Sequence, residues 1–254
     1  NWFVNLILLF SLFLLESLLK YRFQHKQGVP YWLRLYPLLD QGNACVKMFN
    51  SFFVLVKKRG FFMSKIKTQT LIEITICAAL ALLIDLMIPS PSWSFKVSVK
   101  MIPIIILALR RGTLAGCLGG FLWGLLQYIT GNAYVLTLVQ FVVEYFVAFA
   151  VIGFAGFFAP YMQKALKEEP TNRVKQWVIA SMATIVGSLA RYIVHFIAGV
   201  SFWGSYAPEG QSPYVYSFLV NGGAFLSETL CCIIVLIFLT RSFQPLLRVK
   251  TSGY

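Results

Sequence analysis

Charged residues are scarce in this sequence, and acidic ones are the scarcest. Only 12% of the 254 residues are charged, with 9 Asp and Glu against 22 Lys and Arg. Soluble globular domains carry about 25% charged residues, so this composition argues against an ordinary soluble domain. Hydrophobic residues make up 58% of the chain, and the mean hydropathy is +0.73. Several apolar runs approach the length of about 20 residues that a helix needs to cross a bilayer. The sequence therefore predicts an all-α integral membrane protein.

Motifs for ATP hydrolysis, nucleophilic catalysis and zinc binding are also missing. No Gly-x-x-x-x-Gly-Lys-Ser/Thr stretch is present to cradle phosphates, and neither a nucleophile elbow nor a zincin motif occurs. The cysteines lie at positions 45, 77, 117, 231 and 232, without the spacing of metal ligands or of a disulfide framework. We therefore expect no metal, no cofactor and no ATPase activity in this chain itself.

Six apolar segments in the C-terminal three quarters of the chain predict a bundle of six transmembrane helices. They cover residues 70–89, 101–109, 113–129, 135–159, 177–199 and 217–240. The second segment is short and contains Pro103, so we expect it to be tilted, broken or only partly inserted.

The first 62 residues are predicted to form an extension in front of this bundle. The stretch MSKIK at residues 63–67 is typical of a translation start just before the first well-formed span. We interpret residues 1–62 as upstream sequence translated with the gene, or as a mis-assigned start. The alternative is a genuine extra hydrophobic span over residues 2–19. Residues 63–254 are predicted to form the membrane domain.

Basic residues are distributed unequally between the connections on the two sides of the bundle. One side carries Lys57, Lys58, Arg59, Lys65, Lys67, Arg110, Arg111, Lys164, Lys167, Arg173, Lys175, Arg241, Arg248 and Lys250, whereas the other carries only Lys96 and Lys100. Since basic residues collect in cytoplasmic loops, both ends of the 63–254 domain are predicted to face the cytoplasm of a bacterial cell. This asymmetry explains the net charge of +13, so we expect no nucleic-acid partner.

Ionisable residues at membrane depth are the candidates for function. They are Glu73, Asp85, Glu144, Arg191, His195 and Glu228. Each costs about 2.5–3.5 kcal/mol to insert. Glu73 and Asp85 lie near the ends of their span, where water could solvate them. Glu144 is surrounded by apolar residues in LVQFVVEYFVAF, so solvation does not explain it.

Arg191 and His195 are four residues apart and therefore share a helix face. In one interpretation Arg191 pairs with Glu144 and locks two helices together, because buried charges are usually paired. Separately, His195 could be an ordinary core histidine whose hydrogen bonds are satisfied. In another, Glu144 and His195 form the acid–base pair of an intramembrane enzyme.

In the third interpretation, Glu144 and His195 line a cavity that is open to the outside. Trp203, Tyr216 and Asn221 follow at the same predicted depth. Such a cavity suits a flat, cationic heteroaromatic ligand. The carboxylate would accept hydrogen bonds from an aminopyrimidine, and the aromatic faces would stack on the ligand and attract its positive charge.

Three stretches in this order resemble the thiamine-specific substrate-binding (S) component of energy-coupling factor (ECF) transporters. They are LVQFVVEYFVAF at 138–149, RYIVHFIAGVSFWGSYAPEG at 191–210 and YSFLVNG at 216–222. The resemblance covers residues 63–254. It implies a six-helix fold with a thiamine site near the outer face, working with a membrane coupling subunit and two cytoplasmic ATPases. An S component for a related pyrimidine or vitamin precursor, and a self-sufficient secondary transporter, are the alternatives.

The same resemblance implies roles for individual residues. The implied thiamine contacts are Trp93, Tyr134, Glu144, Tyr145, His195, Gly199, Trp203, Tyr216 and Asn221. Glu144 would hold the aminopyrimidine, and His195 and Trp203 would contact the rings. Trp93 would be the lid over the thiazolium. Small residues at Thr75 and Ala79 on the first helix would dock the coupling subunit, because they allow close helix approach in lipid.

Overall fold

The computed structural model describes residues 66–87, 98–242 and 244–249. Six helices run through these residues: α1 Thr68–Met87, α2 Ile102–Arg111, α3 Thr113–Ile129, α4 Leu138–Glu168, α5 Arg173–Phe202 and α6 Pro213–Ser242. The described part contains no strand, so the prediction of an all-α bundle is confirmed. The predicted extension over residues 1–62 lies outside the described residues.

Four helices, α1, α4, α5 and α6, are long and apolar enough to cross a membrane. Helix α3 is apolar but has only 17 residues. Helix α2 has ten residues, and those from Ile102 to Leu109 are all buried. Pro103 lies in the first turn of α2. Backbone N–H groups in a first turn make no hydrogen bond within the helix, so a proline there costs the helix no hydrogen bond. Pro103 therefore leaves α2 unbroken, contrary to one of the expectations for this segment.

Glycines bring the backbones of α3 and α4 into direct contact. Gly116, Gly120 and Gly124 are spaced by four residues and so share one face of α3. A Cβ atom on Gly120 would overlap the carbonyl of Phe149, and one on Gly124 would overlap the carbonyl of Tyr145. Such small-residue faces allow close packing in lipid, where no hydrophobic force drives helices together. The contact fixes the position of the part of α4 that carries Glu144.

Helix α4 is irregular where it passes α3. Residues Val142–Val147 form a π-helical turn, and Val151–Phe158 form a 3₁₀ segment. The wide turn, which includes Glu144 and Tyr145, accommodates more residues than an α-helical turn and changes the direction of the side chains that follow. Turns of this kind occur frequently at functional sites.

One end of the bundle carries most of the basic residues among those described, including Arg110, Arg111, Arg173 and Arg241, and we call it the basic end. There Glu73 of α1 accepts hydrogen bonds from Arg110 Nε at 2.9 Å and Arg111 Nη2 at 2.6 Å. Glu73 is therefore paired with two arginines, and the expectation of a simply solvated carboxylate was wrong. Arg110 Nη1 also donates to the carbonyls of Pro245, Leu246 and Arg248, at 3.2, 3.1 and 2.7 Å. These bonds hold the segment after α6 across the basic end.

Candidate binding cavity

A cavity of about 510 Å³ lies among the helix ends opposite the basic end. Residues from α1, α3, α4, α5 and α6, and from the turn before α2, line it. Pockets for small molecules commonly have volumes of about 300–1,000 Å³, so this cavity has the size of a ligand site.

Seven of the nine predicted contact residues line this cavity. They are Glu144, Tyr145, His195, Gly199, Trp203, Tyr216 and Asn221. Tyr134 lies beside the cavity, with its ring centroid 5.5 Å from that of Trp203 and its backbone N–H donating to the Tyr145 hydroxyl at 2.8 Å. Trp93 lies outside the described residues. The structure thus brings the predicted residues together, and their contact with a ligand remains a prediction.

Glu144 is a buried carboxylate held by two neutral donors. Its side chain accepts a hydrogen bond from Trp203 Nε1 at 2.7 Å and another from Gln140 Nε2. The residue is 9% exposed, and among the described residues no cation forms an ion pair with it. The predicted Arg191–Glu144 pair was therefore wrong. Since an unpaired buried charge is costly, a cationic ligand would stabilise this site.

Arg191 instead pairs with Glu228 of α6. The distance from Arg191 Nη1 to Glu228 Oε2 is 3.0 Å, and Arg191 Nε donates to His195 Nε2 at 3.3 Å. An imidazole nitrogen that accepts a hydrogen bond carries no proton, so His195 is neutral in this arrangement. The guanidinium also lies 5.0 Å from the ring centroid of Phe149. His195 faces the cavity, which contradicts its interpretation as an ordinary core histidine.

The sequence did not reveal the polar group around Asp85. Its carboxylate accepts hydrogen bonds from Lys100 Nζ at 2.8 Å and from Gln127 Nε2. The Asp85 side chain is only 13% exposed, so the expectation that water solvates it was wrong. One available signal was Lys100 itself, a basic residue on the side that carries few of them, directly before an apolar helix.

Gly199 leaves room for a polar contact between α5 and α6. A Cβ atom at this position would overlap Ser217 Oγ. That hydroxyl donates to the Phe196 carbonyl at 2.8 Å, and Asn221 Nδ2 donates to Ser217 Oγ at 3.1 Å. Gly199 therefore contributes space for the groups that orient the Asn221 amide at the cavity wall.

Thr75 and Ala79, predicted to dock a partner, lie on α1 away from the cavity lining. Both are half-buried. The large apolar side chains of the same helix that are exposed include Ile72, Ile76, Leu80 and Leu83. The docking role of Thr75 and Ala79 remains a prediction.

Comparison with known proteins identifies relatives of this chain. The family described as "Thiamine transporter protein" matches residues 71–248. The thiamine transporter ThiT of Lacticaseibacillus paracasei is 40% identical over 145 residues, which cover 56% of this chain and 71% of that protein. ThiT of Bacillus subtilis is 37% identical over 181 residues, covering 70% and 93%. A solved structure of ThiT from Listeria monocytogenes superposes with a TM-score of 0.67 at 35% identity, covering 71% of this chain and 97% of that one.

Proposed function

Since this chain belongs to the thiamine transporter family, we propose that its cavity binds thiamine and that the chain serves the uptake of this vitamin. Glu144 carries the proposal, because it is a buried carboxylate on the cavity wall with neutral hydrogen-bond donors around it. Thiamine joins an aminopyrimidine, which donates hydrogen bonds, to a positively charged thiazolium ring. Thiamine can therefore donate hydrogen bonds to the Glu144 carboxylate and also supply the positive charge that this carboxylate lacks.

The proposed pose follows from the groups around the carboxylate. The aminopyrimidine lies against the Trp203 indole and donates from its amino group to Glu144. The Trp203 Nε1–Glu144 bond orients the carboxylate before the ligand arrives, which lowers the entropic cost of binding. Tyr145, Tyr216 and Asn221 supply further aromatic and polar contacts from the cavity wall. The thiazolium occupies the rest of the cavity, where aromatic faces attract its charge.

Thiamine added to the full-length chain in detergent is expected to quench tryptophan fluorescence saturably at submicromolar concentration. Trp203 lies in the cavity, so Trp203→Phe should remove most of this quenching. Trp177→Phe is the matched control, since Trp177 lies in the first turns of α5, near its opposite end, and should leave the quenching unchanged. A folded wild-type protein that gives no saturable response at millimolar thiamine would contradict the proposal.

We also propose that the chain is an S component that depends on a coupling subunit and two ATPases, with its cavity open to the outside. The absence of a phosphate-binding motif in the sequence supports the need for separate ATPases. The basic residues at the other end support a cytoplasmic location for that end. In this arrangement Thr75 and Ala79 form part of the surface for the coupling subunit, and the chain itself needs no metal or cofactor.

Proteoliposomes that contain only this chain are expected to bind thiamine without accumulating it. Co-reconstitution with a coupling subunit and ATPases should produce accumulation that requires ATP, measured with radiolabelled thiamine. Ala79→Leu should reduce this accumulation and leave thiamine binding intact, because the larger side chain blocks close helix approach. Accumulation by the chain alone under a proton or sodium gradient would instead identify a secondary transporter.

A further inference from the structure

Four charged side chains form a continuous network beside the cavity, which we call the ion-pair network. Lys100 Nζ lies 2.8 Å from Asp85 Oδ1 and 3.9 Å from Glu228 Oε1, and Arg191 Nη1 lies 3.0 Å from Glu228 Oε2. Their side chains are only 7–13% exposed. The network joins α1, the turn before α2, α5 and α6. Charged contacts this deep are weakly screened by salt.

The charges of the network cancel. Two carboxylates, Asp85 and Glu228, balance two cations, Lys100 and Arg191, and His195 is neutral as the acceptor from Arg191 Nε. Glu144 is then the one remaining charge among the described residues that line the cavity. The described part of the site therefore has a net charge of −1.

Each of these charged side chains lines one or both of two cavities that share part of their walls. Glu228 lines a smaller cavity of about 110 Å³, and Arg191, His195, Asn221 and Ala224 line both this cavity and the larger one. A ligand that extends from Glu144 toward Arg191 therefore meets the network directly. In a region of low dielectric constant the net charge of the site acts strongly on such a ligand.

We propose that the ion-pair network sets the charge selectivity of the cavity, favouring a ligand with one positive charge over phosphate esters of the same molecule. This inference rests on thiamine being the ligand. A phosphate monoester adds about −1.5 to −2 charges at neutral pH. The cations that could bind it, Lys100 and Arg191, are already paired with carboxylates. A phosphate would have to displace those carboxylates and then remain beside them.

The test is the ratio of the Kd for thiamine monophosphate to the Kd for thiamine, measured by calorimetry on full-length chain in detergent. Asp85→Asn and Glu228→Gln each bring the site to zero net charge and remove a carboxylate that pairs with a cation, so the ratio should fall at least tenfold. Lys100→Gln and Arg191→Gln each bring it to −2, so the ratio should rise at least tenfold. We therefore expect the Kd ratio to depend on the net charge that a variant gives the site, and not on which of the four residues is replaced.

Double variants distinguish the effect of net charge on the Kd ratio from the effect of a local structural disturbance. Asp85→Asn with Lys100→Gln, and Arg191→Gln with Glu228→Gln, both restore a net charge of −1, so the ratio should return to within threefold of wild type. Where one single variant does not fold, the other single variant that gives the site the same net charge decides the matter. Glu73→Gln removes an arginine-paired carboxylate at the basic end and should leave the ratio unchanged.

Two failures are distinguishable. A wild-type chain that does not bind thiamine overturns the proposed function, and the inference with it. Thiamine binding with the same ratio in wild type, Asp85→Asn and Glu228→Gln overturns the inference alone. A tenfold change of the ratio in the charge-restored doubles would also overturn it.

Discussion

Glu144→Gln is expected to weaken thiamine binding roughly 10- to 150-fold, because a hydrogen bond to a charged group contributes about 1.5–3 kcal/mol. Glutamine keeps the size of the side chain and can still accept a hydrogen bond from Trp203 Nε1. The variant therefore removes the negative charge and leaves the packing of α4 in place. Calorimetric titration of the full-length protein in detergent measures the change.

Glu209→Gln is the matched control for this substitution. Glu209 lies in the connection between α5 and α6 and is exposed, so neutralising it should change the Kd less than twofold. Thermal unfolding without ligand should be similar for Glu144→Gln and wild type. Wild-type affinity in a folded Glu144→Gln protein would show that the carboxylate does not hold the ligand, and the proposed pose would be abandoned.

Gly124→Ala is expected to lower the unfolding temperature in detergent by about 5–10 °C. Overpacking costs about 1–3 kcal/mol, and each kcal/mol shifts the Tm of a chain this size by about 2–4 °C. The added Cβ overlaps the carbonyl of Tyr145, so α3 and α4 must separate. Glu144 directly precedes Tyr145 in the sequence. A shift of α4 at Tyr145 therefore also moves Glu144, and the affinity for thiamine should fall as well.

Gly222→Ala is the control with the same change of side chain. Gly222 lies inside α6, and a Cβ atom there comes no closer than 3.8 Å to its nearest neighbour, the Tyr192 hydroxyl. Alanine stabilises helix interiors relative to glycine by about 0.5–1 kcal/mol, so its Tm should stay level or rise slightly. Equal Tm values for the two variants would refute the role of the α3–α4 backbone contact.

The sequence was sufficient to predict the membrane class and the order of the helices. Hydropathy is a property of each residue, and a long apolar run has one low-energy form in lipid, the helix, because its backbone must satisfy its own hydrogen bonds. The predicted third span, residues 113–129, has the observed bounds of α3. The α4, α5 and α6 spans were predicted too short, since their polar ends, such as Arg173 and Ser242, extend beyond the apolar windows.

Grouping of the candidate binding residues was also predictable, because residues at equal depth on neighbouring helices meet at one end of a bundle. The hydrogen-bond and ion-pair partners of these residues could not be predicted from the sequence. The sequence suggested Glu144 for Arg191, whereas the structure pairs Arg191 with Glu228 and leaves Glu144 to Gln140 and Trp203. Depth along the membrane is encoded locally, but the rotation of a helix about its axis is decided by packing against its neighbours.

Tertiary structure alone therefore decided the electrostatics of the cavity. The π-helical turn at Val142–Val147 interrupts the regular periodicity that aims side chains along α4, and the glycine contact with α3 sets how closely the two helices approach. Lys100 meets Asp85 and Glu228 only after α1, α5 and α6 have come together. A hydropathy pattern specifies that a charge is buried, whereas its counter-ion depends on pairwise distances between distant segments, which exist only in the folded bundle.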